Sequence, residues 1–281
     1  MSTYTPTTPS ERAEMLAAIG VRDVAELFDA IPASLRLARP LDLPLGRPEH
    51  DVYAHLRDLA ARNVSTEDEL SFLGGGMYDH YVPAFIDMLT ARSEFLTPYT
   101  PYQPEISQGG LQVMFEYQTA ICELTGLPVS NASVYEGPSA LASAGYLAKL
   151  ANGRPRFVLS AGVHPHARET LRTMARGFGC EIVEVPLRDG ATDLDAWRAA
   201  VDAETGAVFF QNPNFLGAVE DAEALADVEG PVVVAAYDPI VLGVLKPPGE
   251  CGVDVCVGEG QPLGNRLDFG GPSFGFFAAR E

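Results

Sequence analysis

The sequence predicts an α/β domain built on a mostly parallel sheet with helices on both faces. Short apolar runs of strand length recur through the second half of the chain, and helical stretches lie between several of them. Strands that are separated by helical segments of ten or more residues form parallel sheets. With 281 residues, 47% of them hydrophobic, the chain is long enough to bury a sizeable core.

The individual elements follow from this alternation. We expect strands at 157–160, 181–185, 207–211, 232–237, 253–258 and 274–278, and helices near 165–178, 193–203 and 220–227. Functional side chains are then expected at the carboxyl ends of the strands.

Residues 1–65 read as a helical arm that precedes a large domain, residues 66–281. Ser10 is expected to cap a first helix that ends at Gly20, followed by helices at 21–30 and 51–62. These pieces have too few apolar residues for a core of their own. We therefore expect them to lie against the large domain or against a partner subunit.

The stretch FLTPYTPYQPEISQGG, residues 95–110, carries three prolines among tyrosines and polar side chains. Each proline fixes φ and favours an extended residue before it, so the segment is predicted to be non-helical. It is suited to hold polar groups in fixed directions. A surface loop whose tyrosines only pack is the alternative.

The segment LGGGMYDHYVP precedes this stretch, and its sequence leaves open whether Tyr78, Asp79 and His80 line a pocket. A helix is predicted from Pro83 through Leu89.

Two further helices are predicted after the proline-rich stretch. Ser107 is expected to cap the first, and Gly126 to end it. The second begins at the turn Glu136-Gly137-Pro138. A helix that opens on a small-residue turn is a place where a cofactor phosphate binds. Glu136 would repel that phosphate, so we interpret Glu136 and Ser139 as parts of a vestigial pocket.

The charge balance excludes several classes of function. Nineteen basic residues against 38 acidic ones give a net charge of −19, which disfavours nucleic acids and anionic membrane surfaces. No targeting or membrane-spanning segment is visible, so we expect a cytoplasmic protein. His164 and His166 lack a further His/Cys cluster, and we expect a helix start there and no metal site.

The amino-acid sequence of the central segment resembles that of a known family. YTPYQPEISQG and the following LQVMFEYQTAICELTGLPVSNASVYEGPSA are similar to glycine dehydrogenase (decarboxylating), the P-protein of the glycine cleavage system. FLGGGMYDHYVP and GEGQPLG…FGGPSFGFFA fit the same family. The opening RAEMLAAIGVRDVAELFDAIP resembles the alpha subunit, or subunit 1, of two-subunit P-proteins. The resemblance runs from Glu11 to Ala279.

This resemblance implies the large domain of fold type I, the aspartate-aminotransferase fold, and chemistry on pyridoxal phosphate. Asp238 then stands where these enzymes place the aspartate that pairs with the pyridine nitrogen. The alternative is that Asp238 only caps the turn before Pro239. The Schiff-base lysine precedes a G-G-P turn in the pyridoxal-carrying subunit, and here that place holds Gln261, which forms no imine. Of the two lysines, Lys149 is predicted to lie away from the strand ends and Lys246 in a solvated turn.

The resemblance therefore implies a half-enzyme, in which pyridoxal phosphate and its lysine belong to a partner beta subunit and the isolated chain is inactive. The shared site would decarboxylate glycine and pass the aminomethyl group to the lipoyl arm of the H-protein. The family's small C-terminal domain is expected to be absent. Rival hypotheses are a non-catalytic stabilising partner of the beta subunit and a self-sufficient enzyme using Lys246. The candidates for lining the shared site, or supporting its geometry, are Tyr99, Tyr102, Gln103, Glu105, Ser107 and Gln108.

Overall fold

The computed structural model describes residues 6–66, 68–76, 78, 80–267 and 270–281. The chain divides into two units, Met1–Val64 and Ser65–Glu281. Among the described helices, none is long and apolar enough to cross a membrane.

The first unit contains two helices and two short 3₁₀ turns. These are α1 (Pro9–Ile19), turns at Val24–Phe28 and Ala33–Leu35, and α2 (Glu49–Ala60). None of the four elements buries a residue, as the shortage of apolar residues predicts. The second predicted helix is thus only a 3₁₀ turn, in which Asp23 accepts hydrogen bonds from the N–H groups of Ala25 and Glu26.

The start of α1 differs from the prediction. Thr8, and not Ser10, is the cap: its hydroxyl accepts a hydrogen bond from Glu11 N, while Glu11 Oε2 accepts one from Thr8 N at 2.7 Å. Pro9 follows the cap, at the position where its fixed φ and missing N–H suit a helix. Gly20 ends the helix with φ 88°, as predicted.

The second unit contains the remaining helices and the strands. The helices are α3 (Phe85–Thr90), α4 (Ser93–Leu96), α5 (Gly109–Thr125), α6 (Gly137–Asn152), α7 (Pro165–Phe178), α8 (Leu194–Ala200) and α9 (Ala222–Ala226). The strands are β1 (Val129–Ser130), β2 (Arg156–Ser160), β3 (Glu181–Val185), β4 (Leu187–Arg188), β5 (Ala191–Thr192), β6 (Thr205–Asn212), β7 (Val232–Tyr237), β8 (Val255–Glu259) and β9 (Gly275–Ala279). Each predicted strand is present, and the predicted helices lie at or within a few residues of the expected positions.

The main sheet has the order β1-β9-β8-β7-β6-β2-β3. Strands β3, β2, β6, β7 and β8 pair in parallel, while β9 runs antiparallel to both of its neighbours. The prediction of a mostly parallel sheet is confirmed. The chain leaves β2 towards β3 on one side and then returns to β6 on the other, so β2 and β6 flank the point where the strand order reverses. Such a point is where ligands bind in open α/β sheets.

Both faces of this sheet are covered, because successive side chains of each strand point to opposite sides. Phe157 and Leu159 pack with α6 and α7 on one face, while Val158 packs with α5, α8 and α9 on the other. Trp197 of α8 is fully buried, and its indole N–H donates to Leu225 O at 3.0 Å. Helices on both faces are thus confirmed.

The start of α5 also differs from the prediction. Gln108, and not Ser107, is the cap residue, and no side chain accepts a hydrogen bond there. Instead, the carbonyl of Gln108 accepts the first helical bonds from Leu111 N and Gln112 N, at 3.1 and 3.2 Å. Gly126 ends the helix with φ 67°, as predicted.

Gly258 in β8 offers a test of the packing below the carboxyl edge of the sheet. A Cβ at this position would overlap the backbone oxygen of Tyr237 and approach Phe276 Cε1 at 2.5 Å. We expect Gly258→Ala to lower the free energy of unfolding by about 3 kcal/mol, measured by urea denaturation. The matched control is Gly177→Ala in α7, whose Cβ meets no heavy atom within 4 Å; it should stabilise by about 0.5–1 kcal/mol. Equal effects of the two changes would contradict this packing.

Candidate functional site

A cavity of about 520 Å³ lies at the carboxyl edge of the sheet. Four of its polar side chains come from the ends of neighbouring parallel strands: His164 follows β2, Gln211 lies in β6, Asp238 follows β7, and Glu259 ends β8. The cavity thus opens where the strand order reverses. The expectation that functional side chains lie at this edge stays a prediction.

Glu259 is held in this cavity by backbone groups from three segments. Its Oε2 accepts a hydrogen bond from Gly137 N at 2.9 Å, and its Oε1 accepts from Gln261 N and Phe274 N, both at 3.1 Å. The carboxylate therefore joins the start of α6, the turn after β8 and the residues that lead into β9. Both carboxylate oxygens are used within the chain.

Glu136 caps α6 next to Glu259. Its Oε1 accepts hydrogen bonds from Ser139 N at 3.0 Å and from the Ser139 hydroxyl. Glu136 lines the cavity, whereas Ser139 is absent from its described lining. Two carboxylates thus stand at the positive end of the α6 dipole, where negative charge is stabilised.

Asp238 caps a turn, as one of its two interpretations predicts, while its role beside a pyridine nitrogen stays a prediction. It lines the cavity, and its Oδ1 also accepts a hydrogen bond from Ile240 N at 2.9 Å, which closes the turn around Pro239. Tyr237 beside it is buried, and its hydroxyl accepts a hydrogen bond from Asn212 Nδ2 at 3.2 Å. Burial raises the pKa of Tyr237 above its ordinary value, so the phenol stays neutral.

Gln261 lines the cavity and is only 3% exposed. Its Nε2 donates to Asn265 O, and its Oε1 is a buried acceptor without a partner in the described part of the chain. The amide is therefore fixed by one hydrogen bond and left unsatisfied at the other atom.

His164 anchors a glycine segment at the cavity. Its Nδ1 accepts a hydrogen bond from His166 N at 3.1 Å, which caps α7. The proton is then on Nε2, which donates to Gly75 O at 2.7 Å. The expected helix start is confirmed. Within the described residues, no group of three or more His, Cys, Asp or Glu side chains is placed to hold a metal ion.

Glu220 supports the cavity from behind the loop that follows β6. It is 6% exposed, and its carboxylate accepts hydrogen bonds from Thr192 N at 3.0 Å and from Asn214 Nδ2 at 2.8 Å. The same loop brings Phe215 to the cavity, where its ring lies edge-on to that of His164 at 5.0 Å. Sequence reasoning singled out neither Glu220 nor Glu259, although Glu259 ends an apolar strand just as Asp238 follows one.

Neither lysine of the chain lines this cavity. Lys149 lies in the last turn of α6, and its Nζ donates to Gly153 O at 2.8 Å. Lys246 forms an ion pair with Glu223 at 2.6 Å. The hydrogen bond to Glu223 raises the pKa of Lys246 above its ordinary value, so its amine stays protonated. A lysine that forms a Schiff base needs the unprotonated amine.

The six candidates between Tyr99 and Gln108 lie outside the described cavity lining. Tyr99 and Tyr102 are 92% and 88% exposed, and of the six only Ser107 is partly buried. Glu105 organises the segment, since its Oε1 accepts from the Thr100 hydroxyl at 2.8 Å and its Oε2 from Tyr99 N at 3.0 Å. The hydrogen bond from Thr100 lowers the pKa of Glu105. Residues 97–108 are non-helical, as predicted, whereas Phe95 and Leu96 lie in α4 and the segment's last two glycines lie in α5. The two tyrosines point away from the core.

Of the residues considered in LGGGMYDHYVP, one is found at the cavity. Tyr78 lines the cavity, His80 is absent from its described lining, and Asp79 lies outside the described residues.

A family model described as "Glycine cleavage system P-protein" matches residues 2–281. The chain belongs to this P-protein family. Its relatives include proteins named "Probable glycine dehydrogenase (decarboxylating) subunit 1". The one from Carboxydothermus hydrogenoformans is 50% identical and the one from Geotalea uraniireducens 51% identical, over 99% and 98% of this chain. The chain spans 63% and 62% of the lengths of these two relatives.

Solved structures agree with this assignment. The chain superposes over its whole length on 63% of a P-protein crystal structure, titled as glycine decarboxylase of the glycine cleavage system in inhibitor-bound form, with a TM-score of 0.86 and 47% identity. A glutamate decarboxylase from Lactobacillus brevis is similar over 91% of this chain and 63% of its own, with a TM-score of 0.62. At 15% identity, the latter shows a shared fold alone.

Pyridoxal phosphate, which this P-protein resemblance implies, does not fit the cavity of this chain. A covalent site needs a lysine, and the two lysines of the chain lie elsewhere. It also needs free N–H groups for the phosphate, whereas those of Gly137 and Ser139 are bonded to the carboxylates of Glu259 and Glu136.

Replacing Glu259 tests its role as the junction of the site. An amide has one acceptor oxygen where the carboxylate has two, so Glu259→Gln leaves at least one buried N–H without a partner. We expect a loss of about 2–3 kcal/mol in the free energy of unfolding, measured by urea denaturation. The matched control is Glu223→Gln, which breaks only the exposed ion pair with Lys246 and should cost less than about 1 kcal/mol. A Glu259→Gln variant as stable as the control would contradict the junction.

Proposed function

We propose that this P-protein chain is the half of a two-subunit glycine dehydrogenase (decarboxylating) that does not carry the cofactor. Pyridoxal phosphate and its lysine would belong to a partner beta subunit, and this chain alone would be inactive. The cofactor supplies an electron sink for the carbanion left by decarboxylation. The aminomethyl group of glycine would then pass to the lipoyl arm of the H-protein.

The cavity carries this proposal. It lies at the point where open α/β sheets generally bind ligands. A glutamine, Gln261, occupies the place that the resemblance gives to the lysine. The names of the curated relatives include "subunit 1", which supports a second subunit. The ion pair of Lys246 with Glu223 disfavours the rival in which this chain is a self-sufficient enzyme.

The exposed aromatic segment supports a shared site. Tyr99 and Tyr102 project from a loop that Glu105 holds together, and they bury little against the described part of the chain. Large exposed apolar side chains in such a cluster mark a contact surface. We propose that Tyr99, Tyr102, Gln103, Glu105, Ser107 and Gln108 lie beside the partner's cofactor site, where they orient glycine and admit the lipoyl arm. A non-catalytic, stabilising role uses the same surface and is the second candidate.

Borohydride trapping tests where the cofactor binds. This chain, alone or together with its beta subunit, is incubated with pyridoxal phosphate, and borohydride is added to reduce any imine to a stable pyridoxyl adduct. The products are measured by intact-mass spectrometry. We expect one stoichiometric pyridoxyl adduct, on the beta subunit only. Lys246→Arg serves as the control for surface labelling of this chain and should leave the result unchanged. A stoichiometric adduct on this chain that Lys246→Arg removes would refute the proposal.

Turnover of the assembled enzyme separates the shared site from simple stabilisation. We expect Tyr102→Ala to lower glycine decarboxylation by roughly tenfold or more, because a misplaced reactant loses the benefit of orientation. The assembly should stay intact by size-exclusion chromatography. Tyr146→Ala, which changes a half-exposed tyrosine in α6 outside the segment, is the matched control and should retain activity. Normal turnover in Tyr102→Ala and Glu105→Gln would favour the stabilising partner.

A further inference from the structure

We infer that Glu259, together with Glu136, is a built-in anion that excludes phosphate esters from the cavity of this chain. The ligands that this cavity admits are then small molecules without a phosphate group. The inference concerns this chain alone, and it holds whether or not the proposed partnership with a beta subunit is correct.

The N–H groups in the first turn of α6 all donate to acceptors within the chain. The first N–H groups of a helix have no partner inside the helix, and they are what binds an anion. Gly137 N donates to Glu259 Oε2 at 2.9 Å, and Ser139 N donates to Glu136 Oε1 at 3.0 Å. Pro138 has no N–H, and Ala140 N donates to Glu136 O at 3.0 Å. All four positions of the first turn are accounted for, and none is left for a phosphate oxygen.

Glu259 is held in a fixed position by its other hydrogen bonds. Its carboxylate also accepts from Gln261 N and Phe274 N, so it cannot leave the helix without freeing two further backbone groups. Its backbone packs closely on the helix as well, since a Cβ on Gly137 would lie 3.0 Å from Glu259 N. A phosphate would have to displace a carboxylate that three segments of the chain hold in place.

The carboxylates and the arginine of the cavity lining give it an excess of negative charge. Glu136, Asp238 and Glu259 are acidic, whereas Arg266 is the one arginine or lysine in the described lining. One guanidinium nitrogen of Arg266 donates to Asp87 at 3.0 Å, and this carboxylate offsets part of the positive charge of Arg266. A phosphate dianion would therefore meet negative charge from the helix start and from the end of β7, and like charges at short range repel.

The experiment uses the full chain without any partner, and two probes that form no imine: inorganic phosphate and pyridoxine 5′-phosphate. Binding is followed by calorimetry at constant ionic strength. We expect no binding to the unaltered chain below about 10 mM of either probe, which corresponds to a very weak interaction. We expect Glu259→Ala to bind phosphate at least roughly tenfold more tightly, because it frees three N–H groups beside the helix dipole.

A second readout covers loss of stability in Glu259→Ala. Phosphate should raise the thermal midpoint of this variant relative to chloride at equal ionic strength, since an anion restores the missing hydrogen bonds. Glu136→Ala, which frees Ser139 N and leaves the Glu259 junction intact, should gain phosphate binding even if Glu259→Ala does not fold.

The matched control is Glu220→Ala. It also removes a buried carboxylate that accepts a backbone N–H, but Glu220 lies outside the described cavity lining; it should show no response to phosphate. Tight binding of either probe to the unaltered chain would overturn the inference. So would a failure of both Glu259→Ala and Glu136→Ala to gain phosphate affinity. Neither result bears on where a partner subunit carries its cofactor, which the borohydride experiment measures separately.

Discussion

The carboxylate of Glu259 is the interaction on which the geometry of the site depends. Three backbone N–H groups converge on its two oxygens, from the start of α6, from the turn after β8 and from the approach to β9. The backbones come this close because glycines face the junction: a Cβ on Gly275 would lie 2.5 Å from Glu136 O. Hydrogen bonds to a charged acceptor are among the stronger ones in proteins. The positions of Gln261 and of the α6 start both follow from this single group.

Much of the fold could be predicted because its signals are local. Apolar runs of strand length, the intervening helical stretches and the glycines that end α1 and α5 lie within short windows of sequence. The N-cap residues are harder to predict, because neighbouring residues compete for one cap. Thr8 and Gln108 are the N-caps of α1 and α5, where Ser10 and Ser107 were expected. Such competition shifts a helix boundary by one or two residues without changing the fold.

The candidate site was only partly predictable. Asp238 and Gln261 were found because they stand beside strand ends or motif positions. Glu259 was missed because its partner Gly137 is 122 residues away in the sequence, and Glu220 because its partner Thr192 is 28 residues away. The exposed segment posed a different difficulty. Its aromatic residues are of types usually buried, yet within the described chain nothing covers Tyr99 or Tyr102. Residue type alone therefore does not predict the exposure of these two side chains.

The amide at Gln261 has a consequence for any lysine that is placed at this position. A lysine introduced there would lose the hydrogen bond to Asn265 O and would enter a region where Asp238 and Glu259 favour a protonated, unreactive amine. The helix start would still be blocked by internal carboxylates. A single substitution at Gln261 would therefore remove a hydrogen bond without giving this cavity a reactive amine.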